Sequence, residues 1–349
     1  MDAVRVKYEL REPIEKSCYM TVSVSVIIPC LNEYTYIENC LDSVINQNFP
    51  DGWQFEIIVV DGMSDDGTRE VLRDYQGKYE FIRVIDNPQR IIPVALNLGI
   101  KSSNYEFILR MDSHCTYGQQ YIYESIKPLL SREAENVGGL VRTVGITPFA
   151  RAVALASSSR FGVGNAYHRY LEEKCYVDTV SFGAWRRQTL LDIGMFNEYM
   201  LVNQDYEFNI RLRAAGGRLL LNPTVKCDYY ARSSPYQLAR QYIRYGFWRA
   251  RTSLMHPGTL RPRQMVAPVF VIALILSSII STVSLALSLV VPISYLAVNL
   301  AFTMVSALSA RKFFVVFLPF IFLIIHVCWG CGFLAGRVFW SQKLKGTSK

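Results

Sequence analysis

Along the front of the chain the apolar positions switch repeatedly between two periods. Val22-Ser-Val-Ser-Val-Ile-Ile28 is β-branched and apolar and stops at Pro29, which predicts a strand. Ile37, Cys40, Leu41, Val44 and Ile45 then fall on one helical face. Phe55 to Val60 predicts a second, buried strand ending at Asp61-Gly62, and Thr68 to Tyr75 a second helix. Phe81 to Ile85, Pro93 to Ser102 and Tyr105 to Met111 continue the pattern as strand, helix, strand. Strands alternating with helices at this spacing imply right-handed crossovers and a mainly parallel sheet. Further on, Asn203-Gln-Asp205-Tyr-Glu207 precedes Phe208, Ile210 and Leu212, with Gly216-Gly217 as a helix stop. Pro235 to Arg251 mixes arginines with Leu238, Tyr242, Ile243, Tyr245, Phe247 and Trp248, the composition of a basic, aromatic helix at a membrane surface.

The rear of the chain is of a different kind. No charge occurs from Gln264 to Ala310 or from Phe313 to Gly336, and a membrane span needs roughly 20 apolar residues. The first run is long enough for two helices, divided near Pro292; the second fits one. All 29 acidic residues precede position 229, so the first part carries −5 and the remainder +13 of the net +8. A basic region without acids suits nucleic acid or anionic lipid, and the apolar runs decide for lipid. Eight scattered cysteines form no framework; Cys328 and Cys331 lie in an apolar segment, where packing is the expected role. Residues 1–20 lack the apolar run of a signal peptide.

Ligands of such sheets bind outside the carboxyl ends of the strands. Three polar clusters fall there: Asn32-Glu33, Asp61 with Ser64 and Asp66, and Asp112 with His114. One Asp after a strand is commonly a cap, whereas three clusters on one sheet edge point to a site. No G-x-G-x-x-G follows the first strand and no G-x-x-x-x-G-K-[ST] occurs, which argues against dinucleotide and P-loop chemistry. Asp112 and His114, two apart, can reach one divalent ion if the chain is extended; the mixed pair accepts Mn²⁺, while Mg²⁺ prefers oxygen alone. Asp205 in a first helical turn suits either dipole compensation or a general base. Gln241 to Tyr245 suits surface anchoring or a place in the site.

Taken together, these residues resemble family 2 glycosyltransferases. The likeness rests on Val26-Ile-Ile-Pro-Cys-Leu-Asn-Glu33, Val60-Asp-Gly-Met-Ser-Asp-Asp-Gly-Thr68, Ala95-Leu-Asn-Leu-Gly99, Arg110-Met-Asp-Ser-His114, Gln204-Asp205 and Gln241 to Tyr245. Phe161-Gly-Val-Gly-Asn165, Val177-Asp-Thr179, Phe182-Gly-Ala184 and Arg240 to Gly246 add a resemblance to bacterial exopolysaccharide glucosyltransferases of the succinoglycan-biosynthesis type. The resemblance implies an α/β catalytic domain of GT-A fold over residues 21–232, after an N-terminal extension (1–20). Amphipathic interfacial helices (233–263), about three transmembrane helices (264–338) and a basic tail (339–349) would follow. Pro29, Glu33 and Asp61 would hold the uracil and ribose of a UDP-sugar, Asp112 and His114 the metal (Mn²⁺ or Mg²⁺) and diphosphate. Asp205 would be the base, and Gln241 and Arg244 would contact the diphosphate or the acceptor. His114 stands where D-x-D has its second Asp, Gln204 where E-D has Glu, and Tyr245 where Q-x-x-R-W has Trp.

The activity so implied is inverting transfer of a sugar, glucose by the likeness, to a polyprenyl-diphosphate-linked saccharide in exopolysaccharide synthesis. The expected partners are the UDP-sugar, that acceptor, membrane lipid and other polysaccharide-assembly enzymes, with no nucleic acid. The expected place is the bacterial inner membrane, with the catalytic domain in the cytosol. A processive synthase, a polyprenyl-phosphate sugar synthase and a non-catalytic scaffold are the rival readings. Three crossings would put Arg337, Lys343, Lys345 and Lys349 outside, against the positive-inside rule; a re-entrant path for 313–336 is the alternative. Three spans with an external C-terminus are the expectation.

Overall fold

The computed structural model describes residues 21–163, 173–310 and 312–346. The N-terminal extension, Gly164 and Asn165 of the Phe161 segment, Arg311 and residues 347–349 lie outside them. The alternation at the front becomes β1 (Ser23–Cys30), α1 (Ile37–Ile45), β2 (Gln54–Asp61), α2 (Thr68–Lys78), β3 (Ile82–Asp86), α3 (Ile92–Ser102) and β4 (Phe107–Arg110). Then come β5 (Cys115–Tyr117), α4 (Tyr121–Leu130), β6 (Asn136–Val144), α5 (Pro148–Ser157), α6 (Arg160–Val163) and β7 (Cys175–Tyr176). The α/β body closes with β8 (Ala184–Arg186), α7 (Arg187–Asp192), α8 (Gln204–Ala214) and β9 (Leu219–Tyr230).

The strands form one sheet in the order β3-β2-β1-β4-β8-β6-β9-β5, with β7 beside β9. Because side chains alternate across a strand, Val24, Val26, Ile28, Ile57 and Val59 pack under α1, α2 and α4. Ile27, Ile58 and Val60 pack under α3, α7 and α8 on the other face. Burial on both faces is why these strands read as nearly continuous apolar runs.

The mainly parallel sheet expected from the sequence is present, with short antiparallel pairings added to it. β1 to β4 are parallel, as is the β6–β9 pair, but β8 runs antiparallel to both β4 and β6, and β5 and β7 antiparallel to β9. The sheet is mixed. After β4 the chain leaves the neighbouring position, and β5 joins the far edge of the sheet beside β9. The βα alternation that licensed the parallel reading ends at β4.

Beyond the body lie α9 (Pro235–Met255), α10 (Pro262–Ile280), α11 (Leu285–Ser288) and α12 (Val290–Ala310). A 3₁₀ turn at Phe313–Phe317 leads into α13 (Leu318–Gly346), so the chain stays helical past residue 338, where the tail was expected to begin. Three stretches are long and apolar enough to cross a membrane: Pro262–Ile280, Leu285–Leu308 and Phe313–Lys343, with mean hydropathies of 2.0, 2.0 and 2.5. The break in the first apolar run falls between Ile280 and Leu285, not at Pro292. Ser284 caps α11 by accepting from the Leu287 amide (3.4 Å). Pro292 lies in the first turn of α12, where its missing N–H costs nothing.

α9 packs along α13 at backbone contact. A Cβ on Gly246 would sit 2.1 Å from the Trp329 carbonyl oxygen, and one on Gly332 would sit 2.2 Å from that of Ile243. Gly332 and Gly336 are four apart, the spacing that lets helices approach closely in a membrane. Gly246→Val or Gly332→Val should therefore cost about 1–3 kcal/mol through overpacking, read as a lower thermal-unfolding midpoint in detergent. Gly77→Ala on α2, with nothing within 4 Å of its Cβ position, should leave that midpoint unchanged or raise it.

Candidate functional site

At the carboxyl ends of β1 and β2 the two following loops are laced together. Asn32 donates from its side chain to Asp65 (2.8 Å) and accepts from the Asp65 amide (3.0 Å), and its own amide donates to the Ser64 hydroxyl (2.8 Å). The Glu33 amide donates to Thr68 (2.9 Å) and the Tyr34 amide to Asp66 (3.2 Å). Asp61, fully buried, accepts from the Ser64 hydroxyl (2.5 Å), the Ser64 amide (3.0 Å) and Arg69 (3.1 Å), and Arg69 reaches on to Asp86 (2.9 Å). Pro29 is buried inside β1, opposite Val60 of β2.

β4 delivers Arg110 and, just past its end, Asp112 and His114. The Arg110 guanidinium pairs with both Asp112 oxygens (3.0 and 3.3 Å). Burial opposes its charge, but the Asp112 and Asp205 carboxylates outweigh burial and hold its pKa above the ordinary arginine value. Its Nη1 is buried without a partner. His114 Nδ1 lies 2.9 Å from Glu33 Oε1, and the tautomer that donates from Nδ1 leaves the Nε2 lone pair for another partner. A histidine oriented by a carboxylate on one nitrogen is the usual arrangement of a metal-ligating imidazole. Asp112 keeps lone pairs beyond those given to Arg110, so it can ligate without breaking that pair. Among the described residues no group of three or more His, Cys, Asp or Glu could hold a metal. Two protein ligands suit an ion whose remaining positions are filled by substrate phosphates. The neighbouring thiols of Cys30 and Cys40 are pushed up by burial and stay protonated, which removes them as nucleophiles.

Asp205 sits half-buried in the first turn of α8, next to Asn203 at φ 62°. One oxygen accepts from the Tyr206 amide (2.7 Å), and among the described residues no ion pair engages the carboxylate. The helix beneath it is fixed by its other side chains. Phe208 is fully buried between Trp185 and Phe196. Asn209, one turn below Asp205, donates to Thr179 and to the Val180 carbonyl (3.0 Å each) and accepts from Asn136 (2.8 Å). Buried Glu207 pairs with Arg211 (2.9 Å) and His256 (3.1 Å), tying α8 to the end of α9.

These groups face one cavity of about 1070 Å³. Asp112, His114, Asp205, Gln241 and Arg244 all line it, together with Arg110, to which the sequence reading gave no role. An arginine closing a core strand just before Asp112 was the available signal. Pro29, Glu33 and Asp61 do not line the cavity; Glu33 bears on it through His114. Gln241 donates to the Tyr245 hydroxyl (2.9 Å). The cavity continues between the rear helices, where Phe270, Tyr295, Phe302, Ile325 and Trp329 line it. Asp178 pairs with Arg261 (3.3 Å) and Arg263 (3.4 Å), fastening the body to the start of α10.

Residues 25–193 match the model of glycosyl transferase family 2. The chain is 28% identical over 316 residues to the succinoglycan biosynthesis protein ExoA of Rhizobium meliloti, covering 90% of this chain and 94% of that protein. It is 30% identical over 231 residues to a dolichyl N-acetyl-α-D-glucosaminyl phosphate 3-β-D-2,3-diacetamido-2,3-dideoxy-β-D-glucuronosyltransferase of Methanococcus voltae, covering 64% of this chain and 71% of that one. In fold it is similar to the mannosyltransferase PcManGT of Pyrobaculum calidifontis, solved with GDP-Man and Mn²⁺, at a TM-score of 0.58 and 17% identity over 89% of this chain and 86% of that one. The chain has a GT-A-like mixed sheet with apolar helices behind it, and its family match and relatives make it a glycosyltransferase. The chain belongs to glycosyl transferase family 2.

Asn209→Ala should remove the bonds that seat α8 and strand their buried partners. A loss of about 1–3 kcal/mol is expected, measured as a lower thermal-unfolding midpoint in detergent.

Proposed function

We propose that the protein transfers a sugar, glucose by its likeness to exopolysaccharide enzymes, from a UDP-sugar to a polyprenyl-diphosphate-linked saccharide. The reaction takes place at the cytosolic face of a bacterial inner membrane and inverts the anomeric centre. The observation that carries the reading is the shared cavity: Asp112, His114, Asp205, Gln241 and Arg244 meet there, and its far end runs between apolar helices. An acceptor carried on a lipid can present its hydroxyl from that end. Relatives named for succinoglycan biosynthesis and for transfer to a dolichyl-linked sugar support an acceptor of this kind.

In this mechanism Asp205 takes the proton from the acceptor hydroxyl as its oxygen attacks the anomeric carbon. The bond to the diphosphate breaks on the opposite face, and UDP leaves with the electron pair. A single displacement needs one base and no sugar–enzyme bond. Asp205 suits this role because among the described residues no ion pair occupies it and it lines the cavity with its second oxygen uncommitted. Asp112 and His114 would hold a divalent ion, which when bound supplies positive charge to the departing diphosphate. Gln241 and Arg244, one turn apart on α9, would orient the diphosphate or the acceptor. Pro29, Glu33 and Asp61 would form the nucleoside end of the site, with Asp61 acting through the loop it fastens.

Chelator should abolish transfer by the purified protein in detergent, and Mn²⁺ should restore it at least as well as Mg²⁺. Undiminished transfer in excess chelator removes the ion from the mechanism. Asp205→Asn should keep UDP-sugar binding while lowering turnover by roughly 10² or more, the scale of a lost general base. Near-normal turnover in that variant would return Asp205 to a helix-end role.

A further inference from the structure

We infer that α13 does not cross the bilayer: it lies along the membrane surface on the side of the α/β body, half-sunk in one leaflet. The protein then crosses only through the hairpin of α10 and α12, and its C-terminus returns to the catalytic side.

The argument starts from α9, whose two ends are both fastened to the body. At its start, Leu238 is buried in one apolar cluster with Ala152 and Val153 of α5. At its end, Arg249 stacks on Tyr206 (3.2 Å to the ring centroid), Arg251 donates to the Tyr199 carbonyl and His256 pairs with Glu207. Its 21 residues span roughly 31 Å, about the thickness of the hydrocarbon core. With both ends on the body and Arg240, Arg244, Arg249 and Arg251 along it, α9 runs parallel to the membrane plane.

α13 follows α9 in the same direction. Trp329 and Phe333 meet Gly246, Gly336 meets Phe247, and Trp340 packs on Trp248 (5.2 Å) and under Arg251 (4.4 Å). The first half of α13 touches the body as well. Phe317, just before it, meets Phe149 of α5 (5.9 Å), Phe322 meets Phe161 of α6 (4.9 Å), and His326 Nε2 bonds the Phe161 carbonyl (2.8 Å). A helix that touches the body over its first third, and over its middle and end touches α9, which is itself fastened to the body at both ends, has no far side. Its contacts with the hairpin agree. Gly330 packs on the Ala267 carbonyl, only five residues into α10 and so about 8 Å deep. His326 meets Tyr295 (3.0 Å), which stacks on Phe270 (4.2 Å), about 12 Å deep. The distal half of the hairpin is bare: Ile275, Ile279, Val283, Leu287 and Val290 are all exposed.

Two features of the sequence become intelligible. α13 is apolar all round because one side is covered by α9, α5 and α6, while Val316 before it and Phe320, Leu323 and Val338 on it are left to acyl chains. Arg337 and Lys343 fall on the same side as Arg261, Arg263 and Lys312, which satisfies the positive-inside rule.

The test compares sides and needs no knowledge of the sugar chemistry. Single cysteines are placed at exposed Lys101 on the body, Thr282 at the hairpin tip and Gln342 on α13, in a cysteine-free background, and labelled with an impermeant maleimide before and after permeabilisation. Gln342→Cys should behave as Lys101→Cys does and opposite to Thr282→Cys. Labelling of Gln342→Cys together with Thr282→Cys would overturn the inference. Because removing eight cysteines can unfold the protein, the native chain should also be fused at its C-terminus to green fluorescent protein or to alkaline phosphatase in Escherichia coli. Fluorescence without phosphatase activity supports the inference, and phosphatase activity without fluorescence overturns it.

Discussion

The contact between α9 and α13 sets the positions of most other parts. Gly246 and Gly332 carry no side chain at the crossing, so each backbone rests on the other, and any side chain there would drive the helices apart. α9 turns its opposite side to the cavity, where Gln237, Arg240, Gln241 and Arg244 form one wall. The depth of α13 in the lipid, the level of the cavity mouth and the reach of Arg244 are thus set by one close-packed interface. The same helix ends in His256, which grips Glu207 of α8, so the position of Asp205 depends on α9 as well.

At the strand-end side of the cavity, charge is arranged around the buried Arg110. Arg110 faces Asp112 directly and Asp205 through space. Arg110 thus brings positive charge to both the carboxylate proposed to ligate a metal and the one proposed to take a proton. The orphaned Nη1 of Arg110 shows how closely the protein packs around this charge.

The regularities of the sequence that depend on neighbouring residues carried over directly. Strand and helix periods gave β1 to β4 and α1 to α3 to within three residues, since apolar spacing along one segment fixes which face it buries. The polar clusters at strand ends were visible for the same reason. Pro292 misled because proline breaks a helix in its interior but not in its first turn, and α12 begins only at Val290. The mixed order of β8, β6 and β9 was hidden because antiparallel pairing depends on partners distant in the chain.

The sequence alone determined that an α/β body precedes an apolar, acid-free rear, and that acids stand at the sheet edge, because each of these is a property of composition or local period. Only the tertiary structure decided that Arg110 holds Asp112, that Glu33 turns His114, and that Asp61 fastens a loop and does not line the cavity. It also decided what α13 touches. Hydropathy measures whether a helix can lie among lipid chains, and α13 scores highest of the three. Direction relative to the membrane is set by contacts at both ends of a helix, and those come from residues as far back as Phe149 and Phe161.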